Sequence, residues 1–324
     1  MRPIAVYTHI EDAELSALLD RYDLGQLLSM AGIAEGVENS NFLLRTAKSN
    51  YILTLYEKRV DETDLPYFLG LMEHLSETGL QCPVPIRDNA GQVLQSCAGR
   101  VAAIVSFLDG TSQNFPTAEK CAEIGRALAH FHINSLPFEM KRANSLGPDS
   151  WLPLLQSVNC ELTDMPANLQ EQAKTIIHRL TTLWPSDLPA GHIHADLFPN
   201  NALFVADNLT GIIDFYFACN DLYSYDLAVC LNSWCFDKDG SFNITKSARL
   251  LKAYQSVRLL TDEEKQALPV LCSGAAMRFF LTRLYDWINT PADALVKPHD
   301  PLEFWARLRF HQKVASAADY GLWS

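Results

Sequence analysis

The stretch from Gly191 to Phe215 constrains this chain more than any other part of it. Asp196 and Asn201 stand five residues apart in a segment interrupted by Pro199, so neither can lie on a regular helix. Residues 202–205 and 212–215 are short apolar runs on either side of a turn over 206–211, the pattern of a β-hairpin. A hairpin returns the chain to where it left, so Asp196, Asn201 and Asp214 are expected to converge at one end of it. Two carboxylates and an amide oxygen are hard ligands of the kind Mg²⁺ takes when it also holds phosphate oxygens. Phosphoryl transfer needs a hydroxyl held in line, a group to take its proton, and a metal between the phosphates.

The surroundings of that segment are uneven in character. Thr8-His9-Ile10-Glu11 reads as a capping box opening a short helix that carries Leu15, Leu18 and Leu19. Residues 26–60 read as β-rich, with runs at 41–45 and 51–56 around the turn 47–50. Asp64 opens a helix with Leu65, Phe68, Met72 and Leu75 at helical spacing, closed by Gly79. Pro83 and Pro85 exclude helix, and 93–94 and 101–107 read as further strands near a turn at 88–91. Beyond Ser112 the periodicity becomes helical: Cys121, Ile124, Leu128 and Phe131, then 150–184 and 246–290. The expectation is an α+β fold with a small β-rich lobe over 1–108 and a larger, mainly helical lobe over 109–324.

With these residues in view the chain resembles a known family. His194-x-Asp196-x-x-x-x-Asn201 followed by Ile212-Ile213-Asp214-Phe215 is similar to the aminoglycoside phosphotransferase/choline kinase family, relatives of the protein kinases. Gly36-Val37-Glu38-Asn39-Ser40-Asn41, Tyr51 to Glu57, Phe215 to Asp221 and Tyr225-Asp226-Leu227-Ala228 extend the likeness over nearly the whole chain, toward the bacterial homoserine kinase branch. The resemblance implies a protein-kinase-like two-lobed fold, ATP and Mg²⁺ as cofactors, and L-homoserine as acceptor in threonine biosynthesis. It implies Asp196 as the catalytic base or hydroxyl-orienting group, Asn201 and Asp214 as metal ligands, and Asp226 with His194 as support for the catalytic loop. Gly36, Asn39, Ser40 and Asn41 would cover the phosphates, and Ser106, Phe107 and Leu108 would offer backbone groups to adenine. Related kinases carry an ATP-binding Lys where this chain has Thr54; Lys48 and Lys58 are the nearest lysines, and Glu73 is the acidic partner to ask about.

A zwitterionic acceptor needs a cation for its carboxylate, and Arg is suited because its fork is bidentate. Arg278 and Arg283 stand in an otherwise apolar helix and need a partner, either substrate or an internal carboxylate. Tyr216, Asn220 and Asp221 follow Asp214 and could serve the ammonium or shape the loop. The bland alternative for Asn39 to Asn41 is a β-turn, which Asn and Ser favour in any case. His130 and His132 read as packing residues, Trp234, Phe236, Phe279 and Phe280 as core, and Glu263-Glu264 as a solvated helix start. His192 with His194 forms an HxH pair that reads as loop support rather than a metal site.

The formal charge of −12 argues against a nucleic-acid or anionic-membrane partner. Eight cysteines without a CxxC pair, no basic leader and no run of eighteen apolar residues point to a reducing, cytoplasmic location. Other acceptors of the same chemistry, an aminoglycoside or choline, remain open, as does a nucleotide-binding pseudokinase. The oligomeric state is not legible.

Overall fold

A computed structural model of the chain describes residues 8–33, 39–57, 61–158, 165–166, 168–290 and 297–323. Helix α1 (Asp12–Leu19) precedes a five-stranded antiparallel sheet of β1 (Leu27–Gly32), β2 (Ser40–Thr46), β3 (Asn50–Leu55), β4 (Leu94–Cys97) and β5 (Arg100–Ser106), in spatial order β1-β2-β3-β5-β4. Helix α2 (Leu65–Glu77) crosses between β3 and β4.

The period-two alternation of the strands decides which face each helix covers. Phe42, Leu44, Leu53, Leu55, Ala102 and Ile104 face α1 and its Leu15 and Leu18. Tyr56, Ala103 and Val105 face α2, whose Leu65, Phe68, Leu71, Met72 and Leu75 join the main core. Leu44, Leu53 and Leu55 are fully buried, each contributing about 2 kcal/mol of apolar burial.

The rest of the chain is dominated by helices: α3 (Ala118–Asn134), α4 (Pro148–Gln156), α5 (Leu169–Leu183), α6 (Tyr223–Trp234), α7 (Ile244–Gln255), α8 (Asp262–Asn289) and α9 (Pro301–His311). Two small two-stranded ribbons are set among them. One pairs β6 (Ala190–Ile193) with β9 (Cys219–Leu222), and the other pairs β7 (Ala202–Val205) with β8 (Asn208–Ile212). The segment carrying Asp196 and Asn201 lies between β6 and β7, and α6 follows β9 directly. An antiparallel sheet followed by a mainly helical part is the α+β, two-lobed architecture expected.

Several local expectations are corrected. Glu11 stands at the N-cap position of α1 with no side-chain cap, and Thr8 closes no capping box; its hydroxyl donates to Glu57 Oε1 at 2.6 Å instead. The β7–β8 hairpin turns at Ala206 and Asp207, with Ala206 at φ +54°, and β8 ends at Ile212, so residues taken for a turn are strand. The turn expected at 88–91 is present, closed by Gly91 N–H on the Asp88 carbonyl at 2.9 Å, but β4 and β5 are joined by a second turn at Ala98 and Gly99, both at positive φ. Glu264 is fully buried, not solvated: it closes a capping box with Thr261 and pairs with Arg258 at 3.0 Å. Helices α6 and α9 escaped the sequence reading because both are apolar on more than one side, which blurs the helical period.

Helix α8 is long and apolar enough to span a membrane by length and composition, which the reading of runs did not anticipate. Yet 72% of its apolar window is buried inside the protein. It is a core helix, packed against α4, α6 and α9. The seven described cysteines are free thiols, all buried.

Candidate active site

Asp196 follows β6 in a loop that the protein holds against its own preferences. Ala195 has φ +60° and Asp214 φ +66°, left-handed conformations that cost a non-glycine residue about 1 kcal/mol each. Asp226, fully buried on α6, holds the first of these. Its Oδ2 accepts the His194 N–H at 2.8 Å and its Oδ1 accepts the Ala195 N–H at 2.9 Å. His132 of α3 adds a third contact, with Nε2 at 3.1 Å from Oδ2, while its Nδ1 lies 2.8 Å from the Tyr254 hydroxyl.

Burial alone would raise the Asp226 carboxyl, but the His132 hydrogen bond, the nearby imidazoles and the backbone N–H of His194 hold it below the usual carboxylate range. Burial lowers His132 at the same time. Both directions agree on an ionised Asp226 and a neutral His132 that donates from Nε2 and accepts from Tyr254 at Nδ1. His132, read from the sequence as packing, is thus part of the brace. Its signal was a histidine on the buried face of an amphipathic helix, where an imidazole needs polar partners.

His194 holds the other side. Its Nε2 donates to the Ile213 carbonyl at 3.1 Å, and its Nδ1 accepts the Asp196 N–H at 3.2 Å. Burial keeps this imidazole neutral as well. Ile213 N–H in turn donates to the Asn201 carbonyl at 2.9 Å. Both backbone groups of the residue before Asp214 are therefore tied to the loop carrying Asp196 and Asn201, and the three residues are brought together. Asn201 Nδ2 donates to the Asp196 carbonyl at 2.8 Å and to Asp196 Oδ2 at 3.0 Å. That turns the Asn201 Oδ1 away from Asp196, where it takes only a 3.2 Å contact from Asn200.

Asp214 opens toward solvent, yet protein surrounds it closely enough that desolvation pushes its carboxyl up to about 6. A cation beside it would reverse that shift. An open carboxylate and an available amide oxygen form a hard-donor set that fits Mg²⁺. Among the described residues no cluster of three His, Cys, Asp or Glu groups is arranged to hold a metal alone. The HxH pair does not make one: His192 is engaged by the Tyr67 hydroxyl and the Phe138 carbonyl, both at 2.9 Å.

The nucleotide-side residues divide. Gly36 and Lys58 lie outside the described residues. Asn39 Oδ1 accepts the Glu57 N–H at 3.3 Å, Ser40 donates to Glu57 Oε1 at 2.9 Å, and Asn41 Oδ1 accepts the Thr54 hydroxyl at 2.8 Å. Asn39 and Ser40 are buried, and Ser40 and Asn41 belong to β2, so these side chains knit β2 to the end of β3. Glu73 is paired with Arg87 at 2.7 Å and Lys48 with Asp23 at 2.5 Å, so neither takes part in a Lys–Glu pair at Thr54. Ser106 ends β5, and its hydroxyl accepts the Val84 N–H at 2.9 Å. Phe107 and Leu108 follow as the link onward, with Leu108 packed on Gly211 of the β7–β8 hairpin.

The acceptor-side residues divide too. The Tyr216 hydroxyl is 3.1 Å from that of Tyr56, with the rings edge-on at 5.4 Å and Phe68 edge-on to Tyr216 at 5.7 Å. This clasp joins the metal-side loop to β3 and α2; Tyr56 was not singled out in the sequence. Asn220 accepts the Arg142 N–H at 2.9 Å and contacts His192 at 3.3 Å, so both ends of its amide shape the loop rather than face a ligand. Arg283 is corrected likewise: its partner is internal, Glu303 at 2.6 Å. Asp221 accepts one hydrogen bond on each oxygen, from Leu222 N–H and Asn144 Nδ2, both at 2.7 Å. Arg278 donates to the Ala195 carbonyl and has no carboxylate within ion-pair distance among the described residues.

Residues 29–260 match the family described as Phosphotransferase enzyme family. The chain is 56% identical over 319 residues to a protein named homoserine kinase from Xanthobacter autotrophicus, covering 98% of this chain and 99% of that one. A homoserine kinase of Rhizobium etli is 54% identical over the same length. Among solved structures, an amicoumacin kinase in complex with AMP-PNP, Ca²⁺ and Ami superposes with a TM-score of 0.71 at 15% identity, over 94% of this chain and 92% of that one. The chain therefore belongs to the phosphotransferase enzyme family, in its homoserine kinase branch.

Proposed function

We propose that the protein transfers the γ-phosphoryl group of ATP to the side-chain hydroxyl of L-homoserine, a step of threonine biosynthesis. The 56% identity to a homoserine kinase over 98% of the chain carries the choice of acceptor. The braced loop of Asp196, Asn201 and Asp214 supports the chemistry independently.

In this reading the acceptor oxygen attacks the γ-phosphorus, the bond to the β–γ bridging oxygen breaks, and ADP leaves with the electron pair. Asp196 takes the hydroxyl proton, its carboxylate aimed by Asn201 Nδ2. Asn201 Oδ1 and Asp214 would hold Mg²⁺, which when bound neutralises charge on the phosphates. Asp226, His132 and His194 fix the loop before substrate arrives, so little reorganisation is needed at the moment of transfer. Thr54 stands where related kinases place an ammonium, and its hydroxyl donates to Asn41, so it brings no positive charge to the phosphates and neutralising them falls more heavily on the metal.

Residues 1–108 serve as the nucleotide lobe, with Ser106 to Leu108 at adenine, and 109–324 carry catalysis and the acceptor, in a cytoplasmic enzyme. Asp221 keeps unused lone pairs beyond its two hydrogen bonds and suits the ammonium. ADP release coupled to a spectroscopic readout tests the proposal: L-homoserine should stimulate turnover strongly. No stimulation, or preference for choline or an aminoglycoside, removes the acceptor assignment.

A further inference from the structure

Arg278 is in an unusual position for a buried cation. Its residue is 2% exposed, and its guanidinium lies over Phe279 at 4.4 Å and Phe217 at 5.4 Å. Arg cannot shed its charge to adapt to such a site. Isolated charges in protein interiors are costly unless paired, yet no described carboxylate lies within ion-pair distance. Asp226 and Asp221, the acidic residues acting on this region, are engaged elsewhere. Asp226 serves His194, Ala195 and His132, and Asp221 serves Leu222 and Asn144.

The polar atoms around Arg278 are also incomplete. Arg278 Nε is a buried donor with no hydrogen-bond partner, and so is the hydroxyl of Tyr225, a residue 1% exposed on α6. Burial raises Tyr225, while the charge of Arg278 and its close approach to the Tyr225 oxygen pull the other way; that approach uses the oxygen as an acceptor and leaves the O–H donor unspent. Two unsatisfied donors, one of them cationic, are what a carboxylate with two acceptor oxygens would complete.

Their position relative to the chemistry is defined by the backbone. Arg278 Nη1 donates to the carbonyl of Ala195, the residue joined to Asp196. Adjacent residues are about 3.8 Å apart along the chain. In an extended four-carbon hydroxy amino acid the hydroxyl oxygen and the carboxylate carbon are roughly 5 Å apart, from bonds of about 1.5 Å. One molecule can thus present its hydroxyl to Asp196 and its carboxylate to Arg278.

We infer that Arg278 Nε and the Tyr225 hydroxyl form the acceptor's carboxylate subsite, making Tyr225 a specificity-determining residue of the reaction. This rests on the homoserine reading and deepens it: the site selects an α-amino acid over the corresponding amino alcohol.

The test compares L-homoserine with 3-aminopropan-1-ol, which keeps the hydroxyl and amine and lacks the carboxylate, in wild type, Tyr225→Phe and Arg278→Lys. Wild type should favour homoserine strongly in kcat/KM. Losing one hydrogen bond to a charged group is expected to raise the homoserine KM of Tyr225→Phe about tenfold. The kcat should change by less than about threefold, and kcat/KM for the amino alcohol much less than that for homoserine. Arg278→Lys keeps a cation but not the fork, and should narrow the preference further. An equal change for both acceptors would mean a structural role only and would overturn the subsite. So would an unchanged preference in both variants. Wild type inactive on L-homoserine overturns the acceptor assignment itself, whereas an active wild type with unshifted preference overturns the subsite alone.

Discussion

Replacing Asp226 by Asn keeps the size of the brace and removes its charge and one of its acceptors. The wild-type carboxylate takes two bonds on Oδ2, from His194 N–H and His132 Nε2, and one on Oδ1, from Ala195 N–H. Asn has one oxygen. Its better orientation keeps oxygen at the Oδ2 position, so its NH₂ group faces the Ala195 N–H. One charge-assisted bond is lost, the two remaining ones weaken, and two buried donors oppose each other. An unsatisfied buried polar group costs about 1–3 kcal/mol, so the variant should lose about 4 kcal/mol. That is a large share of the roughly 5–15 kcal/mol typical of folded proteins. Ala195, at φ +60°, is the residue most prone to relax once its N–H is released, and Asp196 would move with it. A displacement near 1 Å lowers rates by about a hundredfold, so kcat should fall by that order while the KM for ATP changes little. Urea unfolding and steady-state kinetics on the same preparation measure both. Stability within about 1 kcal/mol of wild type together with unchanged kcat would refute the claim that Asp226 holds the catalytic loop.

Asp196→Asn should lower kcat by about 10²–10⁴-fold, with nucleotide binding by fluorescence titration nearly unchanged; undiminished turnover removes Asp196 from proton transfer. Gly125→Ala tests the α3–α7 crossing, where an added Cβ would run into the Leu250 carbonyl oxygen. Ala in a helix normally gains about 1 kcal/mol over Gly, but here a loss of about 1–3 kcal/mol is expected from overpacking, and a higher melting temperature contradicts it. His311 is buried against Tyr320 and Asn232, and burial with the nearby Arg307 pushes it down to about 3 from 6.5. Above 6.5 both folded and unfolded states are neutral and nothing changes. Below it only the unfolded chain takes the proton, so stability falls by up to about 1.4 kcal/mol per pH unit from about 6 toward 3. His311→Gln should flatten the pH dependence of the urea midpoint over pH 7.5–5.0, and an unchanged slope disproves the assignment.

The convergence of Asp196, Asn201 and Asp214 was legible because its information is local. Asp196, Pro199, Asn201 and Asp214 lie within nineteen positions, and a short hairpin allows only one way for them to meet. The same holds for the sheet, whose alternating runs at 41–45 and 51–56 became adjacent strands, and for α2 and α3, whose apolar period is clean. Boundaries were less secure: β8 ends at Ile212 rather than past Asp214, because the left-handed turn at Asp214 is imposed by contacts from His194 and Asn201, not by its own residue type.

The pairings of residues far apart in sequence were decided only in three dimensions. Spacing cannot tell that His132 reaches Asp226 across 94 positions, or that Tyr56 meets Tyr216 across 160. Arg278 and Arg283 looked alike in one apolar helix, yet five residues place them on different sides of it. Arg283 turns toward Glu303 on α9, while Arg278 turns inward to the Ala195 carbonyl and finds no carboxylate. Sequence alone could bring Asp196, Asn201 and Asp214 to one place, because a loop and a hairpin are local matters. Acceptor recognition depends on which buried charge is left without a partner, and that is a property of how the helices pack around the loop.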